Sequence, residues 1–350
     1  MKKRYLAILM AIVLSVGLLA ACAPDTPAPV APAPAPADPA PAPEDPAPAP
    51  ADPVPSDRQP GEPARGVFVT QDLSNASQAF SAKEFERLQG DFNITLRIAG
   101  GDVADNIASI EQAIADGEDV IFINPNDIYA VIPALENARA AGIIVGLFSS
   151  QPPEDTPDFP FDFFCGSDDV LGGIQAGEFV MSQFPDGANF VEVGGQAGHI
   201  AAISRHDGFR QGIDTSLIIE LDSQFVPGPW VADEARGIME DFLVMYDDQI
   251  DIVWCHWDHG AGGVIEAVVA AGIDPTEIFI IGYDGNSTGY QQVKDGLQAL
   301  SVGQSFTNMA LKSLENARTM LDGGSVEKLN WIPVDMVTID SIDTFPWPEW

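Results

Sequence analysis

Positive charge is scarce in this sequence of 350 residues. It has 16 Lys and Arg against 52 Asp and Glu, which gives a formal net charge of −36. A chain this acidic repels phosphate backbones, so a nucleic-acid-binding protein is excluded as an interpretation. Cysteine is also rare, and three residues cannot build a disulfide scaffold. Hydrophobic residues still make up 46% of the chain, enough for a sizeable core, and the length suggests two domains.

Long hydrophobic runs are confined to the start of the chain. Three basic residues at positions 2–4 precede an apolar run over 6–21, which is too short to span a bilayer comfortably and is typical of a secretory signal peptide. The run leads into Leu-Ala-Ala-Cys at 19–22, which resembles a bacterial lipobox. We therefore expect residues 1–22 to be a lipoprotein signal peptide. Lipid on Cys22 would then hold an exported protein to the cell membrane or envelope.

Residues 23–65 contain 16 of the 29 prolines, mostly in Ala-Pro and Asp-Pro repeats. Proline fixes φ and removes a backbone donor, so this composition predicts an extended, disordered tether without a core. This segment carries only seven of the 52 acidic residues, with two basic ones, so the acidity belongs mainly to the part of the chain beyond residue 65.

Beyond the tether, short apolar runs alternate with helical patterns. Nearly continuous apolar strands between amphipathic helices predict parallel sheets covered on both faces, and nine or more strands favour two sheets over one. Loops at the carboxyl ends of such strands form the ligand-binding edge of a sheet, and two facing edges make a cleft. The predicted strands are 66–70, 92–98, 119–123, 143–148, 188–193, 217–224, 250–255, 278–282 and 297–302, and the predicted helices include 103–116, 128–141, 170–183, 232–246 and 260–271.

Several other chemistries are open on the residues alone. Four histidines, at positions 199, 206, 256 and 259, allow a nucleophilic triad by spacing, but no Gly-x-Ser-x-Gly motif is present. His256 and His259, with Asp258, could ligate a metal, although Asp258 would also serve as a helix N-cap. The glycines at 260, 262 and 263 follow a strand, yet position 265 is Ile265, so the dinucleotide fingerprint is incomplete. Cys165 and Cys255 are candidates for a disulfide or for two small buried hydrophobic residues.

Aromatic and polar side chains coincide at several predicted loop edges. The apolar face of a sugar ring stacks on indole, and its hydroxyls need the paired donors and acceptors that Asp, Arg, Asn and Gln provide. This combination favours a sugar site. The residues concerned are Trp230, Trp257, Phe80, Asp284, Gln304 and Arg205.

From about residue 66 to residue 340 the chain resembles the ribose/galactose type of periplasmic binding protein, the substrate-binding subunit of sugar ABC importers. Five motifs carry the resemblance in one order. They are DVIFINPND at 119–127, GSDDVLGG at 166–173, AG at 197–198 with RHDGF at 205–209, IIGYDG at 280–285, and DG at 295–296 followed by Gln304.

The resemblance implies a type 1 periplasmic binding protein fold, an α/β protein of two doubly wound parallel-sheet lobes joined by a three-segment hinge. The hinge would cross near 165–167, 304 and 332–333. The N-terminal lobe would comprise 66–165 plus 305–331, including a helix over 306–321. The C-terminal lobe would comprise 166–304 plus 332–350.

The same resemblance implies roles for individual residues. Arg205 would donate to ring or hydroxyl oxygens, Trp230 would be an aromatic platform, Asp284 would accept from two hydroxyls, and Gln304 would complete the hydrogen bonds. Asn75 and Phe80 are further candidates, in a first loop over 73–80 that looks longer than the family's.

Two departures from the family pattern bear on the ligand. Where the family usually has Asp-Arg after the fourth strand, this chain has Ser149 and Ser150, and Trp257 replaces the Asn of ribose binders. These changes make the pocket less polar and smaller, which argues against ribose itself.

We therefore expect a monomeric lipoprotein that binds a small neutral sugar or polyol and presents it to an ABC permease and its ATPase. No catalysis, cofactor or metal is expected. Alternative hypotheses are a lobe pair that delivers a sugar-like signal to a membrane receptor, and a secreted enzyme.

Overall fold

The computed structural model describes residues 59–153, 155–345, 348 and 350, and it contains two six-stranded sheets with helices on both faces. The strands are β1 (Ala64–Thr70), β2 (Ile94–Gly100), β3 (Val120–Ile123), β4 (Ile144–Phe148), β5 (Phe163–Ser167), β6 (Ala188–Gln196), β7 (Ile218–Val226), β8 (Ile252–Cys255), β9 (Phe279–Asp284), β10 (Leu300–Gly303), β11 (Leu329–Ile332) and β12 (Asp335–Val337). The α-helices are α1 (Ala76–Leu88), α2 (Val103–Asp116), α3 (Ile132–Ala140), α4 (Asp169–Gln183), α5 (Ile200–Gly212), α6 (Ala232–Tyr246), α7 (Asp258–Ala270), α8 (Ser287–Lys294) and α9 (Phe306–Leu321).

Each sheet is the centre of one lobe. The N-terminal sheet has the order β11-β5-β4-β3-β1-β2, and the C-terminal sheet has the order β12-β10-β9-β8-β6-β7. The pairings are parallel except for the antiparallel pair of β10 and β12. This is the doubly wound α/β arrangement expected from the alternation of apolar strands and amphipathic helices.

The chain passes between the lobes at three points. It crosses after β5, after β10 and after β11, which are the positions where the resemblance implies hinge segments. After the second crossing, α9 returns to the N-terminal lobe, where Met309, Leu314 and Ala317 are buried against that lobe's sheet. The carboxyl ends of the strands in both sheets therefore lie beside the three segments that join the lobes.

Three of the predicted helices agree with the structure at both ends. The helices predicted over 103–116, 232–246 and 306–321 are confirmed to the residue. α2, for example, begins after a capping box between Asp102 and Asp105 and ends at Gly117, whose φ is 60°.

Two local predictions are wrong. The segment 73–80 is only in part a loop, because α1 begins at Ala76 and the Asn75 side chain accepts the Ser77 N–H as an N-cap. The first strand begins at Ala64, so the last two residues of the predicted tether, 64–65, belong to β1. Residues 1–58, which include the predicted signal peptide, Cys22 and most of the tether, lie outside the described residues.

Each lobe has its own hydrophobic core, which covers both faces of that lobe's sheet. In the N-terminal lobe, Phe68, Phe85, Phe122 and Phe148 are fully buried, and neighbouring rings lie 4.4–5.3 Å apart between centroids.

Among the described residues no helix is long and apolar enough to cross a membrane.

Candidate functional site

A cleft of about 230 Å³ lies between the two lobes, at the carboxyl ends of their strands. Its charged side chains are Arg205 and Asp284, one of each sign. It is lined by Gln71, Ser74–Gln78, Asn124, Ser149, His199, Ala201, Arg205, Pro229–Ala232, Trp257, His259, Asp284, Gln304, Phe306 and Trp350. Ligand pockets often have about 300–1,000 Å³, so this volume suits a small ligand.

Arg205 lies on α5 and is almost wholly buried, with a side chain 6% exposed. Its Nε donates to Asp169 Oδ1 at 2.8 Å, and its Nη1 donates to the His256 carbonyl at 2.6 Å. The guanidinium carbon lies 3.6 Å from the Tyr283 ring centroid. Since a buried cation needs a paired charge and hydrogen bonds, these contacts fix the guanidinium in one orientation at the cleft.

A buried polar network behind the cleft supports Arg205. Glu192 accepts from His206, His256 and Arg210 at 2.8–2.9 Å and from Ser223 at 2.5 Å. The hydrogen bonds from His206, His256 and Arg210 outweigh burial and hold the pKa of Glu192 well below its usual range. The network holds the backbone of His256, whose carbonyl is the acceptor for Arg205.

Asp284 ends β9 and faces Arg205 across 4.0 Å, measured from Oδ1 to Nη1. Its Oδ1 accepts from Gln304 Nε2 at 2.9 Å. Burial raises the pKa of Asp284 to about 7, although Arg205 and the Gln304 amide favour the charged form. Its φ of 121° is a conformation that L-residues rarely adopt. A buried carboxylate in a strained turn is a feature that clusters at functional sites.

Two indoles form an aromatic wall. Trp230 lies in the loop after β7, and its ring meets the Trp257 ring edge-on at 5.5 Å between centroids. His199 meets Trp230 in the same way at 5.5 Å. Burial and the charge of Arg205 lower the pKa of His199 to about 4, so the imidazole is neutral at pH 7 and the wall adds no charge.

The N-terminal lobe contributes a buried chain of amides and hydroxyls. The Asn124 side chain donates to Gln78 Oε1 at 3.0 Å and accepts from Ser150 Oγ at 2.6 Å. Gln78 Oε1 also accepts from Thr70 at 2.5 Å. This chain orients Gln78 and Asn124 at the cleft, where amides provide both donors and acceptors.

The structure brings seven of the nine residues predicted from the sequence to the cleft: Asn75, Ser149, Arg205, Trp230, Trp257, Asp284 and Gln304. Ser150 does not line it, because its hydroxyl is used by Asn124. Phe80 does not line it either, since α1 places its ring against Trp350 at 6.4 Å.

Sequence reasoning missed several lining residues. Gln71 and Asn124 directly follow β1 and β3, so their positions at strand ends could have identified them. Gln78 and His259 are within helices, and Trp350 is far from the other residues in the sequence, so no local pattern identifies these three.

The metal interpretation at His256 and His259 is not supported by the geometry. Gly195 N–H donates to His256 Nδ1, and His256 Nε2 lies 2.8 Å from Glu192, which leaves a neutral imidazole with both nitrogens used. No group of three or more candidate ligands that could hold a metal occurs among the described residues.

The N-cap interpretation of Asp258 is wrong. α7 begins at Asp258 itself, with Trp257 as its N-cap residue and without a side-chain cap hydrogen bond. The carboxylate instead accepts from the Gly285 and Asn286 N–H groups, Gln298 and Ser301 at 2.8–3.2 Å. Asp258 therefore holds the turn that follows β9, which carries Asp284.

The glycines after β8 serve helix packing. A Cβ at Gly263 would lie 2.2 Å from the Ala232 carbonyl oxygen of α6, and one at Gly260 would meet the Trp257 ring at 2.4 Å. Close packing therefore accounts for both glycines without a nucleotide. Cys165 and Cys255 are free buried thiols in different sheets and do not form a disulfide.

Comparisons by family model, by sequence and by structure all match this chain to periplasmic or sugar-binding proteins. A family model described as periplasmic binding protein domain matches residues 67–325. The ribose import binding protein RbsB of Salmonella typhimurium is 28% identical over 254 residues, which cover 73% of this chain and 81% of that protein. The D-xylose-binding periplasmic protein of Escherichia coli is 26% identical over 238 residues, with coverages of 66% and 69%. The crystal structure of a galactofuranose binding protein matches with a TM-score of 0.75 at 25% identity, and covers 81% of this chain and 97% of that chain.

Proposed function

The chain belongs to the periplasmic binding protein family, and from this we propose that it captures a small neutral sugar or polyol in the cleft and delivers it to an ABC importer. The observation that carries the proposal is the polar set of Arg205, Asp284 and Gln304 beside the indoles of Trp230 and Trp257. The relatives named for ribose, xylose and galactofuranose support the ligand class.

The chemistry of the cleft matches a ring with hydroxyls. Asp284 accepts from hydroxyl donors, Arg205 donates to hydroxyl or ring oxygens, and Gln304 can do both. An indole covers the apolar C–H face of the ring. Arg205 is already paired with Asp169 at 2.8 Å and lies 4.0 Å from Asp284, so an anionic ligand would find no unpaired cation among the described residues of the cleft, at a cost in binding free energy.

Delivery depends on a change between open and closed lobes. Three chain segments join the lobes, and the cleft is lined from both. A ligand that contacts both lobes stabilises the closed form by its difference in affinity for the two states. A permease in the membrane would recognise that form and receive the ligand.

We place the protein at the outer face of the cell membrane or in the envelope. The supporting observations are the basic and apolar start of the chain, the Leu-Ala-Ala-Cys sequence that ends at Cys22, and the Pro-rich segment that follows. A diacylglycerol on Cys22 would anchor the protein, and the tether would let the lobes reach a permease.

A thermal-shift screen tests the ligand class. The purified protein is heated with pentoses, hexoses, inositols and linear polyols, while tryptophan emission is followed. A ligand at 100 times its Kd adds about 2.7 kcal/mol to the free energy of unfolding, so one or more neutral compounds should raise the melting temperature clearly. Glucuronate and glucosamine are matched charged controls and should have little effect. Stabilisation by the charged compounds alone would contradict the proposal.

A further inference from the structure

Trp350 is the last residue of the sequence, and its side chain is in the interlobe cleft. Its indole meets the Phe306 ring edge-on at 5.6 Å and lies nearly parallel to the Phe80 ring at 6.4 Å. It packs in this way against the aromatic core of the N-terminal lobe.

The same residue also contacts the C-terminal lobe. Its ring is stacked with the His259 ring at 5.9 Å and an interplanar angle of 28°. Its backbone oxygen accepts from the Ser287 N–H at 2.5 Å, at the start of α8. Trp350 therefore lies between the lobes, with its backbone attached to one and its ring packed on both.

This indole is an aromatic surface distinct from the Trp230 and Trp257 pair. The Trp230 ring is in contact with Trp257 and His199, whereas the Trp350 ring is in contact with Phe80, Phe306 and His259. Both surfaces line the same cavity of about 230 Å³. A sugar ring in that cavity would thus have aromatic carbon available from two separate parts of the chain.

We propose that Trp350 is a specificity-determining residue of the cleft. Its indole provides a second apolar surface for the ligand ring, and its volume restricts the cavity to one unsubstituted ring. This inference rests on the proposed function, since it concerns the same cleft and the same class of ligand.

The test compares Trp350→Ala with Trp350→Phe and with a matched control, Trp331→Ala. Trp331 is 44% exposed on β11 and packs on Phe164 at 5.0 Å, and it is not among the cleft-lining residues. The probes are the neutral compound that most raises the melting temperature of the wild type, and its mono-O-methyl derivatives. Calorimetric titration gives a Kd for each pair.

We expect Trp350→Ala to weaken binding of the parent compound about tenfold or more and to reduce the discrimination against the methyl derivatives. Trp350→Phe, which keeps an aromatic face, should stay within about threefold of the wild type, as should Trp331→Ala. If Trp350→Ala does not fold, Trp350→Leu replaces it, because leucine keeps the apolar contact without the aromatic face.

Two outcomes would overturn the inference. One is a Trp350→Ala protein with an unchanged Kd and unchanged discrimination. The other is an equal loss in Trp331→Ala, which would indicate general destabilisation. A wild type that binds none of the neutral compounds would instead contradict the proposed function, so the two failures are distinguishable.

Discussion

Asp284 combines a buried carboxylate with a backbone φ of 121°. Burial raises its pKa to about 7, so the folded protein holds the proton more tightly than the unfolded chain between about pH 4 and 7. In that range the contribution of Asp284 to stability falls as pH rises, and above it the loss is complete. Such a residue is costly for the fold, and this cost agrees with the ligand-binding role that we propose for Asp284 at the cleft.

Replacing Asp284 with Asn should have opposite effects on the stability of the fold and on its affinity for the sugar. Asp284→Asn removes the ionisable group, so at pH 8 its free energy of unfolding should exceed that of the wild type by on the order of 1 kcal/mol. Its affinity for the sugar should fall about 100-fold, because hydrogen bonds to a charged group contribute about 1.5–3 kcal/mol each. Melting temperatures at pH 5 and pH 8, with calorimetric titration at pH 8, measure both effects.

The control for this experiment is Asp340→Asn at an exposed position. It should match the wild type in affinity and in the dependence of its melting temperature on pH. An Asp284→Asn protein with wild-type affinity would show that Asp284 does not contact the ligand.

Among the secondary-structure elements, the contact between α4 and α5 controls the position of Arg205. A Cβ at Gly208 would lie 2.2 Å from the Val170 carbonyl oxygen, so the two helix backbones can approach only because Gly208 has no side chain. Arg205 is one turn earlier on α5, and its partner Asp169 begins α4. The spacing of the Arg-x-x-Gly-Phe motif thus has a packing reason.

Gly208→Ala should force the two helices apart. Overpacking of this kind costs about 1–3 kcal/mol, and the shift of α5 should also weaken sugar binding. The matched control is Gly237→Ala on α6, where a Cβ meets nothing within 4 Å. This control should be neutral or up to about 1 kcal/mol more stable, because alanine favours helix. Denaturant unfolding of both variants measures the difference, and equal stabilities would contradict the packing argument.

The sequence predicts the elements well where the signal is local. α2 is bounded by a capping box and a glycine, and β3 is a continuous apolar run that is wholly buried. β11 and β12 are short and partly exposed, with Leu329 and Trp331 both 44% exposed. Because neither strand contains a continuous apolar run, the sequence does not predict them.

The candidate site is predictable only in part for the same reason. Arg205 and Asp284 lie in motifs, and Gln71 and Asn124 follow strands. By contrast, Ser150 hydrogen-bonds Asn124 and does not line the cleft, and this depends on the orientation of the Asn124 side chain. The position of Trp350 depends on how the last residues of the sequence pack between the two lobes. Such tertiary contacts leave no periodic pattern in the sequence.

For the molecule as a whole, the lobes are in direct contact at the cleft. The Gln71 side-chain amide from the N-terminal lobe lies 2.7 Å from Nε2 of His199 in the C-terminal lobe. Both residues are buried. This hydrogen bond exists only while the lobes are together, so it favours the closed arrangement even without a ligand.

Gln71→Ala should therefore make the ligand-free protein more open on average. A hydrogen bond of about 0.5–1.5 kcal/mol shifts a two-state equilibrium roughly 2- to 10-fold. Small-angle X-ray scattering should show a larger radius of gyration for this variant than for the wild type when no ligand is present. Gln183→Ala, at an exposed position on α4, is the control and should not change it. Equal radii in all three proteins would contradict this role for Gln71.

The most direct test of the account is a crystal structure of the protein with the neutral compound that stabilises it most. The account predicts one ligand ring in the cleft, with hydroxyls in hydrogen-bond contact with Asp284, Arg205 and Gln304, an indole against its C–H face, and contacts to both lobes. A ligand bound outside this cleft, or bound to one lobe without contact to Arg205 and Asp284, would contradict the central claim.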